Sequence, residues 1–520
     1  MTTRPHPAIA ALSGSLGEPV QKQPGLLRVL LPYIAAVLVY ALLFTFWQAE
    51  PVPWNVHLLA ILVAATCFLP LARWYARGSQ GLPMFELICL SYALQFSMPV
   101  YTQPNWLISY NRQVPIRWAT VFEVLLFAEL GVAAMILSYF LARRSPLARH
   151  LPRLDLPMMP DRRSLYLLGA LAGGGLLTLL QVLSWGFLGS ATYAALVRLV
   201  SSQFNVAVVL LAYVVYGKRE QSLFASVGLY AAVVFGFIVG LMTGMLENTL
   251  MPLVLLLAVR WHATRRIPWL AIVFGLVLYL VLNPAKFQYR QQVWFGGQEY
   301  GFSQRLEVWA LAVDEELATT RQQAAWEETI RDSLARFDLV HRFAYVREMT
   351  PAYIPYYHGE SYAYFLYAWV PRLLWPGKPS ASEALDRLDL DYSLKHESQP
   401  VSIGIGQLPE AYANFGVVGM ILVMAFQGTV FALLDAVLNG RRSEGGRAIY
   451  LVIMAYFLNG IGSSAAVLFG ALVQYILASA ILLRPFATAW QSKGEIIGHK
   501  EADSDPPGTG HGVGVEEAYL

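Results

Sequence analysis

Long apolar runs separated by short polar loops dominate the chain. A helix of about 20 residues crosses the hydrocarbon core of a bilayer, so each long run predicts a membrane span. The runs lie near Leu27–Trp47, Val56–Tyr75, Leu82–Tyr101, Trp118–Leu141, Leu165–Leu188 and Phe204–Tyr216. They continue near Leu223–Leu241, Leu250–Trp261, Trp269–Leu282, Tyr412–Leu438, Ile449–Gly462 and Ala465–Leu483. Several are short, and Ala191–Tyr216 reads either as one long tilted helix or as a broken one. The pattern predicts an all-α polytopic membrane protein of about 12 spans with one large polar loop. It divides the chain into a cytoplasmic N-terminal segment (1–25), a membrane domain of about nine spans (26–283), the large loop (284–409), three further spans (410–486) and a polar tail (487–520).

Composition agrees with this division. The 520 residues are 56% hydrophobic and 14% charged, where a soluble domain carries about 25% charged residues. A net charge of +3, with the basic residues in short loops, gives no basis for nucleic-acid binding. The two cysteines, Cys67 and Cys89, both lie in apolar runs and support neither a disulfide framework nor a zinc site. The first apolar run has no small-residue cleavage site and is expected to be retained as a span. The Gly- and Pro-rich tail is expected to be disordered.

Loop charge supplies an orientation, because Lys and Arg beside spans stay on the cytoplasmic side. Basic residues occupy alternate loops: Arg73 and Arg77, then Arg143 to Arg163, Lys218 and Arg219, Arg260 to Arg266, and Arg441 to Arg447. Between them lie loops holding little more than Glu50 or Glu247. Both termini are then cytoplasmic and 284–409 lies outside, with Ser303–Arg347 expected to form two or three helices on the membrane surface. A long, non-random loop on a membrane domain is usually functional.

Three clusters in or beside that loop carry candidate chemistry. Lys286 and Arg290 follow a span closely and could meet a lipid phosphate, or merely snorkel to anionic lipid. Tyr356, His358, Glu360, Tyr362, Arg372, Trp375 and Lys378 lie in a Pro-, Tyr- and Trp-rich stretch. Its aromatic rings offer stacking faces for sugars, with an interfacial aromatic belt as the alternative. Glu410 and Asn414 open the next apolar run; a carboxylate there is a candidate general base, or a charge complementing the helix dipole. Metal chemistry is not signalled: Asp314-Glu315-Glu316 reads as a solvated helix face, and the acidic stretch Asp386–Asp391 is a weak candidate for a divalent ion. There is no Walker loop or dinucleotide fingerprint, so a nucleotide cofactor is not expected and any donor should arrive already activated.

Gly359-x-Ser-Tyr362, Pro371-Arg-Leu-Leu-Trp-Pro-Gly-Lys-Pro379 and Glu410-Ala-Tyr-Ala-Asn-Phe-Gly416 together resemble the Wzy-type O-antigen polymerases, the oligosaccharide repeat-unit polymerases of bacterial envelopes. The stretch Gln304–Arg347 departs from that likeness and matches no pattern. The resemblance implies a GT-C-like membrane fold in the bacterial inner membrane. It also implies undecaprenyl-pyrophosphate-linked oligosaccharides as substrates on the periplasmic face, polymerised without a cofactor, with membrane lipids, a chain-length regulator and a flippase as partners. In that frame Glu410, His358 or Glu360 would be the catalytic base. Arg290, Lys286, Arg372 and Lys378 would meet the diphosphate, and Tyr356, Tyr362, Trp375 and Asn414 the sugars. A ligase using the same lipid-linked glycan, a lipid-linked oligosaccharide transporter and an assembly subunit are the competing readings. No internal repeat of the kind transporters carry is visible.

Overall fold

The computed structural model describes residues 26–487, apart from 78–80, 110–111, 155, 159, 184–199, 201, 218–221, 265, 297, 299, 324–325, 369, 371–373, 376, 397–402, 440–442 and 471. The expected N-terminal segment 1–25 and almost all of the tail lie outside the described residues. Helix dominates the rest. The first helices are α1 (Leu26–Phe46), α2 (Trp54–Ala76), α3 (Met84–Tyr92), α4 (Pro99–Thr102), α5 (Trp118–Arg144) and α6 (Pro146–His150). Next come α7 (Pro160–Gly169), α8 (Gly175–Leu183), α9 (Gln203–Gly217), α10 (Leu223–Met242), α11 (Leu246–Thr264) and α12 (Trp269–Val293). A short antiparallel hairpin, Trp106–Ser109 with Arg112–Pro115, interrupts them between α4 and α5.

The polar loop is itself helical: α13 (Phe302–Gln323), α14 (Trp326–Ala335), α15 (Val340–Met349), α16 (Glu360–Ala368) and α17 (Ala381–Asp391). The chain then returns to the bundle through α18 (Gln407–Leu438), α19 (Glu444–Asn459), α20 (Ala465–Gly470) and α21 (Leu472–Leu483). Seven stretches are long and apolar enough to cross a membrane: α1, α2, α5, α10, α12, α18 and the pair α20–α21. This is a multi-pass membrane protein.

The expected twelve apolar stretches fall mainly on helix over their described residues; the other five lie on shorter helices or on helices that contain a π-helical turn. The α3 stretch passes into a π-helical turn at Ala93–Ser97, and α7 and α8 are separated by another at Ala170–Gly174. α9 and α19 hold 15 and 16 residues, short of the roughly 20 that a bilayer needs. α11 starts on Leu246, carries Glu247 in its first turn and has Arg260 and His262 near its end. The boundary expected at Pro284 is also displaced, because α12 runs through that proline to Val293. Lys286 and Arg290 therefore belong to the end of a helix rather than to a loop after it.

α5 against α18 is the most extensive helix contact in the bundle. Gly428 of α18 lies so close to the Met135 carbonyl and the Ser138 hydroxyl of α5 that no β-carbon fits there. Small residues let membrane helices approach in this way and gain dispersion contact. Basic residues gather at one end of the bundle, where Arg143 pairs with Asp435 at 2.9 Å and Arg73 lies over the Phe140 ring. The loop helices cap the other end. There Glu348 of α15 accepts from Thr120 at 2.7 Å, and Arg347 pairs with Glu123 at 2.9 Å at the start of α5.

α13 has a further role in positioning. The last carbonyls of α10 lack intrahelical partners, as at any helix C-terminus. Trp309 donates to Leu241 O at 2.6 Å, while Tyr289 and Arg305 donate to Met242 O at 2.7 and 3.2 Å. Arg290 donates through Nε to Gly244 O at 2.8 Å and stacks over Trp294. The tight turn from α10 into α11, with Gly244 at φ 68°, is fixed by side chains from α12 and α13.

Candidate functional site

A partly open cleft of about 410 Å³ lies where the fixed turn, the loop helices and the adjoining end of the bundle meet. One wall is a face of α11: Glu247, Leu250 and Val254 recur at helical spacing, so a carboxylate and two apolar side chains line it in succession. Leu458 near the end of α19 continues the apolar wall. The opposing rim is the turn between α14 and α15, which contributes Arg336 and Phe337, followed by Arg342 on α15. Gln95, Tyr279, Gly404 and Ser463 complete the polar part of the lining.

The two arginines differ in what they do. Arg342 donates to the carbonyls of Ile403 and Gly404 at 3.3 and 3.0 Å, and burial pushes it below the usual arginine range against the pull of Asp338 and Asp389. Arg336 is exposed and forms no hydrogen bond or ion pair among the described residues. It lies close enough to Lys286 and Arg290 for their charges to repel. Glu247, half-buried, likewise has no hydrogen-bonded partner among the described residues. A guanidinium and a carboxylate thus face one cleft without closing on each other.

The turn that carries both arginines is locked from behind. Leu339 N donates to Gln95 O at 3.1 Å, and the buried His341 holds Asp338 through Nδ1 at 2.9 Å from each carboxylate oxygen. The facing wall at Gly404 is held as firmly. Asp389 is fully buried and accepts from Ile403 N and Gly404 N at 2.8 and 2.9 Å. Gly404, at φ 76°, abuts the Gly462 carbonyl too closely for any side chain.

Burial raises the Asp389 carboxyl above its usual range, although those two N–H groups, Lys395 and Arg342 oppose the shift. A raised carboxyl binds its proton more tightly folded than unfolded. Its contribution to stability is complete below the unfolded value of about 4 and is lost as pH rises through the folded value. Wild type should therefore lose thermal stability relative to Asp389→Asn, which cannot ionise, as pH rises from about 4 toward neutrality, as read by unfolding of the detergent-solubilised protein at a series of pH values.

The residues singled out from the sequence divide into separate groups. Glu410, fully buried, accepts from Ser361 Oγ and from Ala465 N, both at 2.7 Å. Asn414 accepts from Gly359 N at 3.0 Å and donates to Ser361 Oγ and Glu410 O, both at 2.8 Å. This knot is closed: each Glu410 oxygen has a donor and no solvent reaches it. It ties down residue 465, and with the Gln407 N donation to Ile461 O at 3.2 Å it holds the 460–463 segment that lines the cleft.

His358 is exposed, with a left-handed backbone (φ 50°) and its N–H on Asn414 O at 3.1 Å. Glu360 is paired with Arg387 at 2.8 Å. Tyr356 packs near Tyr412, and the Tyr362 hydroxyl is buried without a hydrogen-bond partner among the described residues. Trp375 is exposed, and Lys378 donates to Val370 O at 2.6 Å. Arg372 lies outside the described residues. Lys286 donates to Asn283 at 2.5 Å, which leaves Arg336 the less occupied cation of the neighbourhood.

Arg336, Arg342 and Glu247 were not singled out from the sequence. The two arginines sit in the stretch that matched no pattern, and Glu247 reads as an isolated charge in a short loop. The available signal was the pair of arginines six residues apart around Asp338 and His341.

A family described as a domain of unknown function (DUF8712) matches residues 179–461, more than half of the chain. That stretch contains every cleft-lining residue except Ser91, Gln95, Gly462 and Ser463. No curated protein and no solved structure matches the chain.

Proposed function

We propose that this chain, which belongs to the DUF8712 family, is a bacterial inner-membrane glycosyltransferase that joins undecaprenyl-diphosphate-linked oligosaccharide units into an envelope polysaccharide. The observation that carries this reading is the amphiphilic cleft. Arg336, without a partner among the described residues, and Arg342, which also supports the Ile403 and Gly404 carbonyls, line it beside an apolar helix wall. An anionic head on a long hydrocarbon tail has this same division. Arginine suits the head because its planar fork matches phosphate oxygens and stays charged.

The distribution of Lys and Arg supports an outward-facing cleft, since the basic loops gather at the other end of the bundle. The resemblance of the Glu410–Gly416 and Gly359–Tyr362 segments to repeat-unit polymerases adds the reaction class. In this reading those segments build the wall behind residues 460–465, and the charge of the departing diphosphate is met by the arginines.

The test is direct. The purified protein in lipid nanodiscs should bind undecaprenyl diphosphate and should lengthen a lipid-linked repeat unit isolated from a strain lacking the gene. Such a strain should accumulate single capped repeat units. Accumulation of lipid-linked long polymer would mark a ligase instead, and absence of diphosphate binding would overturn the reading.

A further inference from the structure

We infer that Glu247 is the proton acceptor of the transfer step, a catalytic role resting on the cleft reading above. Three observations lead to it. Glu247 is the acidic residue of the cleft lining, whereas both oxygens of Glu410 are engaged in a sealed knot and Glu360 is paired with Arg387. Its carboxylate has no hydrogen-bonded partner among the described residues. Its backbone sits on the α10–α11 turn that α12 and α13 fix by four side chains, so the carboxylate is presented from a rigid base.

The titratable groups of the cleft lining are Glu247, Tyr279, Arg336 and Arg342, with Lys286 and Arg290 of α12 behind Arg336. Burial raises the Glu247 carboxyl and the charge of Arg336 opposes that rise. A general base works best when its pKa approaches the working pH, and a half-buried carboxylate moves in that direction.

The hydroxyl of the acceptor sugar gives its proton to a Glu247 oxygen as the hydroxyl oxygen bonds to the anomeric carbon of the donor. The bond from that carbon to the diphosphate oxygen breaks, and its electron pair leaves on the diphosphate, facing Arg336 and Arg342. Configuration at the anomeric carbon inverts. The proton passes from Glu247 to solvent through the open side of the cleft.

The experiment separates this role from the reading it rests on. Undecaprenyl diphosphate binding is measured in nanodiscs, and polymer length in cells, for wild type, Glu247→Gln and Glu247→Asp. Glu247→Gln should bind the diphosphate within about threefold of wild type while polymer formation falls at least 100-fold, as expected for loss of a general base. Glu247→Asp should recover part of the rate. The acid limb of the wild-type pH–rate profile should be absent from the residual rate of the Gln variant. Normal polymer in Glu247→Gln, or loss of binding and turnover together in both variants, overturns the assignment. Failure of wild type to bind the diphosphate overturns the cleft reading itself.

Discussion

Arg336→Ala should weaken binding of undecaprenyl diphosphate about 30-fold, which corresponds to about 2 kcal/mol for a lost charge-assisted contact. The fold should be untouched. Arg336 is exposed and bonds to no described residue, so its removal leaves no buried partner stranded. Arg336→Lys should recover part of the affinity, since it keeps the charge and loses the fork. Arg342→Ala is a less clean probe because the same guanidinium supports the carbonyls of residues 403 and 404. Titration in nanodiscs at fixed ionic strength reads the effect. Equal affinity in wild type and Arg336→Ala would remove the cleft from any role in anion binding.

The second large effect is expected at Glu410, and on stability rather than chemistry. Glu410→Ala strands the Ser361 hydroxyl and the Ala465 N–H in a sealed pocket and leaves a void beside them. Each unsatisfied buried polar group costs about 1–3 kcal/mol, so the total loss is on the order of 3 kcal/mol or more. Glu410→Gln fares little better, because its amide NH2 must face one of two donors. Both variants should show a lowered thermal midpoint and a reduced monodisperse fraction, with activity falling in step with the folded fraction. A stably folded Glu410→Gln without activity would restore Glu410 as the base.

The sequence revealed the membrane architecture more fully than the chemistry, and the reasons are physical. Helices such as α2, α5 and α18 announce themselves because uninterrupted apolar length has few other uses. The interruptions in α3 and between α7 and α8 are π-helical turns, which insert a residue without changing composition and so leave no mark on a hydropathy profile. The three helices from Phe302 to Met349 follow from their apolar spacing, but their docking does not. It depends on Trp309 and Arg305 finding carbonyls more than sixty positions upstream.

The motif residues illustrate a second limit. Glu410, Asn414, Ser361 and Gly359 are brought together in space, as a pattern shared by two segments would suggest. Residue type alone cannot tell a carboxylate held by two donors from one left free. That distinction lies in the surroundings: Glu410 is held by two donors, and Glu247 by none among the described residues. Arg336 shows the converse: the pair of arginines around Asp338 and His341 is visible in the sequence, but not that the turn beside it faces the start of α11.

The rim of the cleft joins two bodies that the chain builds separately, the α10–α11 turn rooted in the bundle and the α14–α15 turn rooted in the loop helices. A lipid diphosphate with its head on Arg336 and its tail along Leu250 and Val254 of α11 would act as a rivet between them. Binding energy of this kind is felt wherever the joined parts would otherwise come apart. Saturation with undecaprenyl diphosphate should therefore slow amide hydrogen exchange along α13 and α14, in residues that never meet the lipid.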